Sequence, residues 1–298
     1  MNCGGNGVRF KHFLAIDWSG AKGPRQKGIA LAFADGEGGP PVLIDRGRGW
    51  GREDVFALLR DDLPPDTLVG MDLGIALPFA DCGAYFPGLE DSPKDAPALW
   101  ALIDAVCAED SNLEAGSFVA DPRFAPYFRN GAATGLHFRC DGAEHGRGRF
   151  RVTEQAQAAM GCKPYSNFNL VGAAQVGKSS LTGMRMLHRL RGRLPVWPID
   201  PLPDTGSVAV EIYTSLAALE AGRSVARAKM RSFAELNEAL AVLGSPPVGG
   251  DGAIDDHSSD ALLTAAWLRK VAGEARRWAP AQLTPAIART EGWTFGAL

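Results

Sequence analysis

The chain has 298 residues, of which 46% are hydrophobic and 22% charged, with a formal net charge of −3. That length buries the core of one large domain or two ordinary ones. The near-neutral charge excludes a protein basic over its whole surface, and no apolar run approaches the roughly 20 residues that span a bilayer.

Residues 1–10 open on Asn and Gly without an apolar core, and read as a flexible leader rather than a signal peptide. His12-Phe13-Leu14-Ala15-Ile16-Asp17 then predicts a strand. Gly28–Ala34 is a second apolar run, closed by Asp35-Gly36, and Pro41–Asp45 a third. Gly and Asp-Gly punctuation between such runs favours antiparallel hairpins. Arg52-Glu53-Asp54 opens a helix carrying Val55, Leu58 and Leu59, which Pro64-Pro65 stops. Thr67–Asp72 predicts the fourth strand and Ser207–Thr214 the fifth. Helices follow around Ser232–Leu243 and Ser258–Ala272, the last with Ala261, Leu262, Ala265 and Leu268 as its apolar stripe.

This order predicts an α/β fold: a mixed five-stranded sheet, antiparallel in its first three strands and parallel after, with helices on both faces. Residues 75–206 are too long for a connection and read as an inserted, mostly helical subdomain, with helices at Trp100–Cys107 and Met184–Leu190. The core is then 11–74 plus 207–298. The five cysteines, Cys3, Cys82, Cys107, Cys140 and Cys162, form no C-x-x-C pair. Their odd number argues against a disulfide framework and for a reducing, cytoplasmic location. Cys140 and His145, loop neighbours, are a weak pair of potential metal ligands.

Acids end three of the predicted strands: Asp17, Asp72 and Glu211. Asp255-Asp256-His257-Ser258-Ser259-Asp260 opens the last helix, where spacings of three and four let two groups face one point. A lone Asp at a strand end also serves as a turn former, Asp256 or Ser258 as an N-cap, and Glu211 as the partner of a buried Arg. Taken together, carboxylates at the carboxyl ends of neighbouring strands suit Mg²⁺ or Mn²⁺, which prefer oxygen ligands.

Ala15-Ile16-Asp17-Trp18-Ser19-Gly20, Gly70-Met71-Asp72-Leu73-Gly74, Val210-Glu211-Ile212-Tyr213 and Asp256–Leu262 resemble an uncharacterised prokaryotic family of predicted nucleases with an RNase H-like fold. Arg151-Val152-Thr153-Glu154, Val171–Gly183 and Glu291-Gly292-Trp293 share the resemblance, which spans most of residues 12–295. More widely the chain is similar to Holliday-junction resolvases, which carry an acid on the first strand, an acid on the fourth and a ligand pair on the last helix. The resemblance implies Asp17, Asp72 and Asp260 as metal ligands, with His257 or Asp256 as partner. The fourth-strand acid, often Glu in resolvases, is Asp here, and Glu211 lies outside that pattern.

Gly172-Ala173-Ala174-Gln175-Val176-Gly177-Lys178-Ser179 satisfies G-x-x-x-x-G-K-[ST]. Its context departs from a phosphate-binding loop: Phe168–Val171 is a poor buried strand, and Gly183 is expected to interrupt the following helix early. Close packing by small residues, with Lys178 facing the cleft as a phosphate contact, fits better. From Gln155 to Ile199 no acid occurs, while Lys163, Lys178, Arg185, Arg189, Arg191 and Arg193 do, preceded by Arg147, Arg149 and Arg151. Such a stretch suits a polyanionic substrate or a solvated helix face. Tyr165, Phe168 and Trp197 serve base stacking or core packing.

The expectation is a metal-dependent phosphodiesterase acting on nucleic acid, with Asp17, Asp72, Glu211 and Asp260 catalytic, His257 and Asp256 as further ligands, and Lys178 and Arg151 on substrate phosphate. The alternatives are an actin-like or P-loop-type phosphotransferase, which the Asp17–Gly23 loop resembles, and a non-catalytic module of the same fold.

Overall fold

The structure is a computed structural model and describes residues 9–139, 147–172, 175–224 and 229–298. Cys3, the pair Cys140 and His145, and Ala173-Ala174 of the glycine-rich motif lie outside the described residues. The strands are β1 (His12–Asp17), β2 (Ala30–Asp35), β3 (Val42–Leu43), β4 (Thr67–Asp72), β5 (Arg129–Asn130), β6 (Ala133–Thr134), β7 (Val196–Trp197) and β8 (Val208–Glu211). The helices are α1 (Arg52–Ala57), α2 (Ala96–Val106), α3 (Gly116–Ala120), α4 (Val152–Ala159), α5 (Val176–Leu190), α6 (Thr214–Glu220), α7 (Phe233–Val242), α8 (Asp256–Val271), α9 (Ala275–Trp278) and α10 (Pro285–Thr290).

One mixed sheet organises the chain, in the order β3-β2-β1-β4-β8-β7. β2 runs antiparallel to β1 and β3, while β1, β4, β8 and β7 are parallel. The sheet therefore has six strands rather than five. The sixth, Val196-Trp197, lies inside the stretch expected to be an insertion, and at two residues it is too short to leave a periodic trace.

Alternation along the strands sorts side chains onto two faces. Leu14, Ile16, Leu31, Val69 and Met71 pack on one face with Leu99 and Trp100 of α2 and Leu181 and Met184 of α5. Phe13, Ala15, Ala32, Leu68 and Val210 pack on the other with Leu216 of α6, Leu236 of α7 and Leu262 and Trp267 of α8. This second face is lined with small residues, so α8 lies close to it. A Cβ on Gly70 would come within 2.8 Å of Leu268 Cδ1 and of Ile212 Cγ2.

Several local expectations shift. Phe10, assigned to the leader, is 2% exposed and stacks on Trp278. α5 runs unbroken through Gly183, because the missing side chain is where Leu73 packs: a Cβ there would stand 2.5 Å from Leu73 Cδ2. Asp255, not Asp256 or Ser258, caps α8, its Oδ1 accepting from Ser258 N–H at 2.9 Å. Cys107 and Cys162 are free thiols. No helix among the described residues is long and apolar enough to cross a membrane.

Candidate metal centre at the carboxyl ends of the parallel strands

Asp17 and Asp72 are register partners at the ends of β1 and β4. In a parallel pair such residues face the same side, and neighbouring strands are about 4.8 Å apart, so the two carboxylates emerge together. Phe13 and Ala15 fix that side for β1, and Leu68 and Gly70 for β4: it is the face covered by α8. Burial drives the Asp17 carboxyl above the ordinary carboxylate range, against the pull of His257. Burial, then the charges of Asp17 and Asp260, drive Asp72 further above it. The Thr214 hydroxyl, at the start of α6, donates to Asp72 Oδ2 at 3.3 Å.

The first turn of α8 brings the other groups. His257 Nδ1 lies 2.8 Å from Asp17 Oδ2, with the carboxylate as acceptor. That hydrogen bond, opposed by partial burial, raises the proton affinity of the imidazole, which is 47% exposed in its side chain. Gly28 leaves the room the ring needs, since a Cβ there would stand 3.3 Å from His257 Cε1. Three residues on, burial and the Asp17 charge push the Asp260 carboxyl up to about 7. Asp256, expected as a further ligand, is instead ion-paired with Lys229 Nζ at 2.5 Å.

Comparison with protein-family models, with curated proteins and with solved structures finds no match.

Glu211 takes the alternative role expected for it, as the partner of a buried Arg, and that Arg is Arg151. Glu211 is in register with Met71, one position short of Asp72 and therefore on the opposite face. There it meets Arg151, whose Nη1 and Nη2 donate to its two oxygens at 2.8 and 2.6 Å. Ile75 N–H and the Thr294 hydroxyl complete its shell at 2.8 and 2.5 Å. Arg151 is 1% exposed and also holds Glu154, so its guanidinium is engaged by two carboxylates at the floor of the cleft that Asp72 lines. Glu291 joins the hub by accepting from the N–H groups of Phe79, Ala80 and Val152. The shared motifs around Arg151, Glu211 and Glu291 thus meet as one buried ionic cluster, and Arg151 and Glu211 line the same cleft as Asp72.

The basic stretch divides in the same way. Arg149 pairs with Asp81 and Arg185 with Asp104, both buried. Arg189, also paired with Asp104, stays near the surface, and Arg191, Arg193 and Lys163 are exposed. Phe168 and Trp197 are core residues, whereas Tyr165 is 40% exposed, carries the Arg147 guanidinium over its ring and lines the same cleft as Asp72.

The glycine-rich motif is not set between a sheet strand and a helix. Gly177 already lies within α5, packed against the Asn167 carbonyl, and the Ser179 hydroxyl donates back to Val176 O at 2.9 Å. Its backbone nonetheless abuts the site. A Cβ on Gly20 would stand 2.3 Å from the Lys178 carbonyl carbon. Lys178 Nζ donates to Gln175 Oε1 at 3.0 Å at the edge of a cavity that Lys22 also lines.

Sequence reasoning missed Thr214 and Arg52. Arg52 is buried and donates to the carbonyls of Ser19 and Ala21 at 2.9 and 2.8 Å, holding the turn that follows Asp17. Its place at the start of an acidic helix gave no sign of this.

In donor type and charge, a buried carboxylate, two half-buried ones and an imidazole suit a hard divalent cation. Among the described residues, no three His, Cys, Asp or Glu side chains stand close enough to share one in the arrangement seen.

Proposed function

We propose that the chain is a divalent-metal-dependent phosphodiesterase of RNase H-like fold acting on nucleic acid. One observation carries the proposal. Burial raises the proton affinity of Asp17, Asp72 and Asp260, the Asp17 charge adds to that of the other two, and the nearest opposing ammonium, Lys229, is hydrogen-bonded to Asp256 instead. Such a cluster costs free energy unless a cation compensates it. The strand order β3-β2-β1-β4-β8, with acids at the carboxyl ends of β1 and β4, supports the RNase H-like assignment.

Mg²⁺ or Mn²⁺ held by Asp17, Asp72 and Asp260 would supply an activated water and charge stabilisation at the leaving oxygen. The chain's own groups do the rest. His257, oriented by Asp17 through Nδ1, has Nε2 left to exchange a proton with the leaving group or with solvent. Thr214 fixes the Asp72 carboxylate. Lys178 contacts substrate phosphate.

The expected result is that Asp17→Asn or Asp72→Asn lowers Mn²⁺-dependent cleavage of DNA and RNA substrates by about 100-fold or more while the fold is kept. Cleavage equal to the parent's refutes the assignment. The absence of a closed three-ligand set among the described residues favours one second reading, a non-catalytic module of the same fold. Calorimetry with Mn²⁺ separates the two: no heat at millimolar metal selects the module.

A further inference from the structure

Across the Ser19–Ala21 turn from His257 lies a cavity of about 350 Å³, a size in the range of small-molecule sites. Its sides are apolar: Ala115, Val119 and Ala120 come from α3 and its approach, and Leu181 from α5. Two ammonium groups, Lys22 and Lys178, line it from different segments. Glu114 is the acidic residue among the lining groups, and its Oε1 already accepts from Gly23 N–H at 2.7 Å.

Behind the turn sits Arg52, 1% exposed. It donates to the carbonyls of Ser19, Ala21 and Asn112, and its Nη2 is buried without a hydrogen-bond partner among the described residues. Along the lining the two lysines outweigh Glu114, so the cavity wall is cationic. An anion there gains from the ammonium groups of Lys22 and Lys178. A ligand that satisfies both halves is flat and weakly polar at one end and anionic at the other. The Asn130 carboxamide at the lining offers a donor and an acceptor to the flat end's polar edge.

We propose that this cavity binds one nucleotide unit, with the base between Val119 and Leu181 and the phosphate at Lys22 and Lys178. The Ser19–Ala21 turn then separates the bound nucleotide from the carboxylate centre. Ser19 abuts the His257 side, since a Cβ on Gly28 would stand 3.3 Å from both His257 Cε1 and Ser19 Oγ, while Gly20 abuts the Lys178 backbone. A strand with one nucleotide seated here carries its next phosphodiester over the turn toward Asp17. That link to cleavage rests on the phosphodiesterase assignment, whereas binding of the nucleotide does not.

The test is calorimetry on the full chain without metal, using adenosine monophosphate, adenosine and inorganic phosphate as probes. Adenosine monophosphate is expected to bind at least about 10-fold tighter than either half alone. Lys178→Ala should weaken it by about 10-fold and Ala120→Trp, at an exposed position on the cavity wall, should abolish it, both variants melting as the parent does. Binding no tighter than that of phosphate, or indifferent to both substitutions, overturns the proposal. Nucleotide binding without metal-dependent cleavage upholds the cavity and refutes only the phosphodiesterase. Cleavage without nucleotide binding does the reverse.

Discussion

Asp72 is the residue on which the electrostatics of the centre turn. A carboxyl whose proton affinity is higher folded than unfolded binds more protons in the native state between the two pKa values. Stability contributed by such a group is therefore present at low pH and lost as pH rises through the folded value. Asp260, pushed up to about 7 by burial and by Asp17, places this loss between the ordinary carboxylate range and neutrality. Without metal, the melting temperature of the parent is expected to fall as pH rises from 4 to 7, in part through these groups. Asp72→Asn removes the most perturbed of them, so it should flatten that slope and stabilise the metal-free protein at pH 7 by about 1–3 kcal/mol. Melting curves across pH, with and without Mn²⁺, check both. A variant less stable than the parent at pH 7 contradicts the assignment of mutual repulsion. His257 runs with the opposite charge but the same sign of slope: its affinity is raised by Asp17, so the stability from their pairing is present below the ordinary histidine value and lost above the folded one.

At the scale of elements, what could be read from the sequence follows from how strongly each element repeats. β1 and β4 are apolar runs capped by acids, and both appear as expected, at His12–Asp17 and Thr67–Asp72. α8 is legible from its stripe of Ala261, Leu262, Ala265 and Leu268, all buried. The choice between the two roles open to Glu211 is one of parity. An acid at a strand end was visible, but which face it takes depends on register, and pairing with Met71 instead of Asp72 sends it to the far side of the sheet. Arg151 follows from the same cause: a buried guanidinium and an exposed phosphate contact are spelled alike, and only the partner tells them apart. The hub it forms ties α4 to β8 and to the segment around Glu291. Arg151→Ala leaves Glu154 and Glu211 buried without their cation and is expected to destabilise by about 3–5 kcal/mol, measured by denaturant unfolding. Arg151→Lys recovers only part of this, since one ammonium cannot reproduce the fork that spans both carboxylates.

Over the whole molecule, the expected division into a core and an insertion meets a complication at β7. Val196-Trp197 pairs with β8 and closes the sheet, and Trp197 packs on Trp278 and Phe295 near the other end of the chain. α5, from the same middle stretch, covers one sheet face, and its Thr182 hydroxyl accepts from Trp18 Nε1–H at 3.0 Å. Replacing residues 75–206 by a short linker should therefore give a chain with no cooperative thermal transition, read by circular dichroism, despite retaining every carboxylate of the centre. A cooperative transition in that shortened chain would show the outer segments to be self-sufficient. The edge strand at Val196 thus limits how such a protein can be taken apart, because a chain stripped of its middle stretch would lack a roof over half of its sheet.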